Sequence, residues 1–278
     1  MWRMFHEANA IEAMAINIRF SEPVGSLLMK KIISELEHST SRAGLIDKRP
    51  LQGFQVNLAN PGEVKPVASG AMAFQKTSLE RDREGQVQSI LASQIEAQAT
   101  HFTYQTWRYS KWTSELATVL EILLSALKIA TQSVALGSIR LEYLDRFYFE
   151  GEPSEAVVNN LLRADSGWIA PHVFEAPDLW HSHTGKFVDV AEDRRKLLLV
   201  NADFQDLTGP DPHLHGRRSL QLMTAAEERF ADQGYEVTSE SVESFLSSTL
   251  NDLHGKAITV FKEVMNNDFR IQQGLPHD

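Results

Sequence analysis

Residues 134–150, VALGSIRLEYLDRFYFE, constrain the fold more than any other stretch. Ile139, Leu141, Tyr143 and Phe147 alternate with Arg140, Glu142 and Arg146, a period of two that a β-strand satisfies and an α-helix does not. Residues 112–131 just before it carry the other period. Trp112, Leu116, Val119, Leu120, Leu123 and Leu127 recur at helical spacing and form one stripe, which Ile122, Leu124 and Ile129 widen. A helix with so wide an apolar face is expected to be sandwiched, and a strand that follows it belongs to the sheet it covers.

The rest of the first half reads the same way. Residues 15–20 (AINIRF) and 53–58 (GFQVNL) alternate as strands, and residues 24–37 have helical composition after Pro23. Residues 40–51 read as a polar loop, and Asn60, Pro61 and Gly62 mark a turn. Three more strands are expected over 69–78, 85–92 and 95–105, in a meander with hairpin-length connections. The resulting order is β-α-β-β-β-β-α-β.

In the second half, residues 154–163 read as a short helix and 164–182 as loops. Residues 185–191 and 196–203 read as a hairpin, and 219–232 as a helix-like stretch. A final helix starts after Thr238 or Ser239, with Glu240 and Glu243 complementing its dipole. Val242, Phe245, Leu246, Leu250, Leu253, Ala257, Phe261 and Val264 give it an apolar face that extends toward Phe269, with Gly255 as a kink point. The expectation is an α+β protein of antiparallel sheets packed against long helices. Residues 1–150 and 151–278 are read as two subdomains that share a strand-then-long-helix grammar, as two related halves would.

Composition narrows the function. The chain has 278 residues and no cysteine, which excludes disulfides, thiolate metal sites and a cysteine nucleophile. Its 37 acids against 27 bases give a net charge of -10, a field that repels phosphate backbones and disfavours nucleic acid as a partner. The longest apolar stretch, residues 116–130, is broken by Thr118, Glu121, Ser125 and Lys128 and is too short to span a bilayer. No secretory leader is read at the N-terminus, so a cytoplasmic protein is expected.

Two clusters carry candidate chemistry. His181 with His183, and His213 with His215, are His-x-His pairs with Asp178 and Asp211 nearby. On extended backbone, residues i and i+2 point to one side, so His181, His183, Asp211, His213 and His215 are candidate ligands for zinc or manganese in a hydrolytic site. The alternative is a set of exposed loop histidines and no cofactor at all. Arg140, Glu142, Asp145 and Arg146 form the second cluster. Arg140, Glu142 and Arg146 share one face of a strand and Asp145 lies on the other. That set reads either as an anion or carboxylate pocket built on guanidinium forks or as structural ion pairing. Residues 193–196 (DRRK) and 215–218 (HGRR) are the compact basic clusters. Residues 25–31 (GSLLMKK) lack the second glycine of a phosphate loop.

Four segments resemble the sporadically distributed family of uncharacterised prokaryotic proteins. They are AINIRF before a helix, YSKWTSELATVLEIL leading into a long helix, the strand SIRLEYLDRF, and the closing LHGKAITVFKEVMNNDFRIQQG with Leu253, His254, Phe261 and Gly274 in matching order. SIRLEYLDRF is similar to that family's arginine-rich strand, with Glu142 in place of a second arginine and Asp145 in place of an asparagine. The resemblance implies an α+β protein of scattered occurrence, as in defence or mobile-element systems, and implies no reaction. With it, the expected function is a non-enzymatic interaction or regulatory protein that binds a protein partner, with homo-oligomerisation open and the last helix as docking surface. A metal-dependent hydrolase using the histidine pairs is the alternative.

Overall fold

A computed structural model describes residues 1–6, 8–56, 64–81, 85–176, 178–208 and 213–275. The chain forms an α+β fold, a ten-stranded antiparallel sheet with four α-helices packed against it. In chain order these are β1 (Trp2–Met4), β2 (Ile11–Phe20), α1 (Ser26–Arg42), β3 (Asp47–Val56), β4 (Val64–Arg81), β5 (Val87–Gln98), β6 (His101–Thr106), α2 (Trp112–Ala130), β7 (Leu136–Phe149), β8 (Trp180–Val188), β9 (Arg194–Asp206), β10 (Arg218–Phe230), α3 (Val242–Val264) and α4 (Asn267–Gln273). The strand order is β3-β4-β5-β6-β2-β7-β10-β9-β8, and β1 pairs with the end of β7. The Asn60-Pro61-Gly62 turn lies outside the described residues.

Contacts group the chain into two units. One comprises Met1–Met14, Arg140–Arg229 and Asn251–Asp278, the other Ala15–Ile139 and Phe230–Leu250. The core of the second unit follows from the stripe on α2. Val119, Ile122, Leu123, Ala126 and Leu127 are buried, and α1 contributes Met29, Ile32 and Leu36. In the first unit, β7 contributes Leu141, Tyr143 and Phe147, and α3 contributes Leu253, Ala257, Val260, Phe261 and Val264.

Several local readings are corrected by tertiary context. Residues 219–232 are not helical, and 219–230 lie in β10. Their Leu, Met, Ala and Glu content favours a helix, but the strand sits between β7 and β9 and residues 224–228 are all buried. A strand buried on both faces loses the polar alternation that would reveal it. Residues 40–51 are not a loop. α1 runs to Arg42 and β3 begins at Asp47. Serine and threonine are poor helix formers because their hydroxyls compete for backbone groups. Here those hydroxyls are satisfied: Thr40 Oγ1 donates to Leu36 O at 2.6 Å, and Ser39 Oγ donates to Ile122 O of α2 at 2.9 Å.

Residues 154–163 form not an α-helix but two single 3-10 turns, Pro153–Glu155 and Val158–Asn160. The strand read over 95–105 is split by a two-residue hairpin at Ala99 and Thr100, where Gln98 pairs with His101. Neither turn residue carries a glycine or asparagine signal. The last helix is continuous across Gly255 and ends at Val264. Met265 bridges to Leu162, and the Asn266 side chain caps α4 by accepting from Asp268 N at 2.9 Å and Phe269 N at 3.2 Å.

Candidate functional site

The two faces of β7 separate the chemistry of the first unit. From Ile139 onward its odd-numbered side chains are buried and its even-numbered ones half-buried. On the buried face, Tyr143 Oη and His254 Nδ1 of α3 share a hydrogen bond of 2.8 Å. Burial holds the His254 imidazole down to about 4 and pushes the Asp145 carboxyl up to about 7. Asp145 is only 4% exposed, between Tyr143 and Phe147 on the same face. The buried Glu228 of β10 is held by Lys196 at 3.7 Å and Arg194 at 3.5 Å. Lys196 also reaches Asp252 of α3 at 3.4 Å, and Lys256 reaches Asp189 at 2.7 Å. These groups tie α3 to the sheet. Asp145 and Glu228 are buried and His254 half-buried, while Arg194, Asp189 and Asp252 reach solvent. Desolvation alone displaces His254 and Asp145, which is the pattern of polar groups in a core.

The opposite face of β7 carries Arg140, Glu142 and Arg146 together. Arg140 is paired with Glu142 and lies 3.7 Å from Glu227 of β10, which in turn holds Arg229 at 2.9 Å. Arg146 Nε donates to Glu12 of β2 at 2.8 Å. The ion pairs continue into ring contacts. Phe187 of β8 lies under two guanidinium groups, Arg195 at 4.8 Å and Arg229 at 5.9 Å from its centroid. Arg146 lies 6.0 Å from the Phe5 ring and Arg217 lies 5.9 Å from the Tyr148 ring. Arg140 Nε is buried without a hydrogen-bond partner among the described residues. The cluster read from the sequence is therefore divided by the strand. Three members join a half-buried ion-pair row and Asp145 enters the core. Phe187, Glu227 and Arg229 completed that row unforeseen, because cross-strand neighbours leave no mark in one strand's pattern.

The histidines are placed apart in kind. His181 and His183 are exposed on one face of β8, opposite Asp203 and Asn201 of β9. His181 Nδ1 and Asp203 Oδ1 lie 2.5 Å apart. His213 and His215 are exposed in the turn before β10, where His213 O accepts from Arg217 Nε at 2.6 Å. Asp211 lies outside the described residues. Among the described residues no group of three or more His, Asp and Glu side chains is arranged to hold a metal ion.

α3 turns its apolar residues inward and shows Glu243, Ser244, Ser248, Asn251, Asp252, Thr259 and Glu263 outward. Its visible surface is thus polar. In the other unit, buried Tyr104 Oη donates to Glu115 Oε2 at 2.8 Å, and burial raises the pKa of both groups. Among the described residues no helix is long and apolar enough to cross a membrane. No protein-family model and no curated protein matches the chain.

Proposed function

We propose that this protein acts by binding a protein partner through the arginine-bearing face of β7, β10 and β8, as a non-enzymatic regulatory component. The observation that carries the reading is Phe187. It is 46% exposed on the last strand of the sheet order and framed by Arg195 and Arg229. Aromatic and arginine side chains in such a cluster are the residue types that dominate binding energy at protein interfaces. Arg195 makes no ion pair among the described residues, so it is available to a carboxylate on the partner. The interleaved Glu12, Glu142 and Glu227 and the net charge of -10 disfavour a phosphate backbone, and with the other guanidinium groups of the face in ion pairs, Arg195 offers a single carboxylate-binding point. The family resemblance supports a setting in a prokaryotic defence or mobile-element system, and the cysteine-free composition supports the cytoplasm.

The test uses wild-type protein and the double variant Phe187→Ala/Arg195→Ala as baits in a lysate of the source cells. A captured protein supports the reading only if, once purified, it binds the wild type and binds the variant at least roughly tenfold more weakly. A purified partner indifferent to the variant overturns it. So does salt-sensitive binding of single-stranded oligonucleotide that the variant loses.

A further inference from the structure

A cavity of about 360 Å³ opens in the first unit between the segment 163–168, β8 and the C-terminal part of α3. Its floor is Trp168, 4% exposed, and its walls are Arg163, Asp165, Ser166, Thr184, Lys186 and Glu263. The volume lies in the lower part of the range of small-ligand sites. Gly167 lines the cavity too, and a Cβ there would meet nothing within 4 Å.

The four charges sum to zero, but they are not all neutralised. Arg163 and Asp165 satisfy each other through two hydrogen bonds, of 3.0 and 2.9 Å. Lys186 and Glu263 have no ion-pair partner among the described residues, each other included. Both are nevertheless set by the same indole. Lys186 Nζ stands 4.4 Å over the Trp168 ring, and Glu263 Oε2 accepts from Trp168 Nε1 at 2.6 Å. A tryptophan face attracts an ammonium, and its N–H fixes a carboxylate at its edge. One cation and one anion are thus held at separate points of one small cavity, too far apart to pair directly.

We infer that this cavity binds a small zwitterion of the amino-acid class. The ligand carboxylate pairs with Lys186 and its ammonium with Glu263, which closes both open charges through charge-assisted hydrogen bonds. Trp168 and the space beside Gly167 receive the apolar part. A simple anion would leave Glu263 unpaired and face its repulsion, and a simple amine would do the same at Lys186. The inference is independent of the docking face, which uses Phe187 and Arg195 on the other side of β8.

The test is calorimetric titration of the full chain with free amino acids at low-millimolar concentration, repeated with the methyl ester and the N-acetyl derivative of any that bind. Binding of a free amino acid that falls roughly tenfold or more with either derivative, and likewise in both Lys186→Met and Glu263→Gln, is the expected result. Thermal melts of both variants identify any loss caused by unfolding. Should one variant fail to fold, Trp168→Phe replaces it; that change removes the indole N–H and is expected to weaken binding without emptying the floor. Absence of binding by every amino acid overturns the inference, and so does equal binding of the acetylated ligand, which would mark a plain anion site.

Discussion

Tyr143 on β7 and His254 on α3 meet through a 2.8 Å hydrogen bond between the phenol and Nδ1. They belong to two segments, SIRLEYLDRF and LHGKAITVFKEV, that lie more than a hundred residues apart. The bond gives that pairing a physical reason. The strand supplies a buried phenol, and the helix supplies the half-buried ring that it meets. Satisfying a buried polar group in this way fixes the register of α3 along the strand.

The same face predicts opposite pH dependences for two single variants. Burial lowers His254 from 6.5 to about 4, so the unfolded chain binds the proton more readily and this group removes stability as pH falls between those values. Burial raises Asp145 from 3.8 to about 7, so the folded chain binds that proton more readily and this group removes stability as pH rises over that range. The two slopes oppose each other in the wild type. Asp145→Asn is expected to give a stability that climbs steadily from pH 4 to 6.5 and exceeds the wild type at pH 8. His254→Gln is expected to give one that declines toward pH 7. Urea titrations across the range check both; parallel profiles for the two variants would refute the assignment.

Tyr104 and Glu115 form the corresponding buried pair on β6 and α2. Tyr104→Phe removes the donor and leaves a desolvated carboxyl, with an expected loss of about 1–3 kcal/mol. Glu115→Gln keeps an acceptor and is expected to cost less. Chemical denaturation of the two variants ranks them, and the reverse order would show that the pair is not held by this bond.

Lys196 stands between buried Glu228 and the α3 residue Asp252. Lys196→Met strips Glu228 of its more buried partner and leaves Arg194 as its cation, with an expected cost of about 1–3 kcal/mol. Adding Glu228→Leu is expected to restore part of that loss, because the incompletely paired charge goes with it. A double variant as unstable as the single one would place the damage in packing instead.

Two glycines are expected to respond in opposite directions. Gly234 has a φ of +76°, and a Cβ there would come within 2.8 Å of both Ala135 Cβ and Ser21 Cβ. Gly234→Ala is expected to cost about 2 kcal/mol or more from strain and overlap. Gly255 lies within α3 with nothing within 4 Å of an added Cβ, so Gly255→Ala is expected to stabilise by about 0.5–1 kcal/mol. Thermal melts of the two variants decide the matter.

What the sequence determined by itself was whatever depends on neighbours along the chain. The period-two run of β7 and the period-3.6 stripes of α2 and α3 were legible because each element has one buried face, and that asymmetry is written at fixed spacing. The division of Arg140, Glu142 and Arg146 from Asp145 followed from the same alternation. Tertiary structure alone decided the rest. β10 is a strand because β7 and β9 take up its backbone hydrogen bonds, although its side chains favour a helix. Ser39 and Thr40 remain helical because a carbonyl of α2 and one of their own helix accept their hydroxyls. Phe187, Arg195 and Arg229, and the separated charges at Trp168, come together across strands and loops. Such meetings depend on which strand lies beside which, and a sheet's lateral order is set by the packing of the whole core rather than by any local spacing.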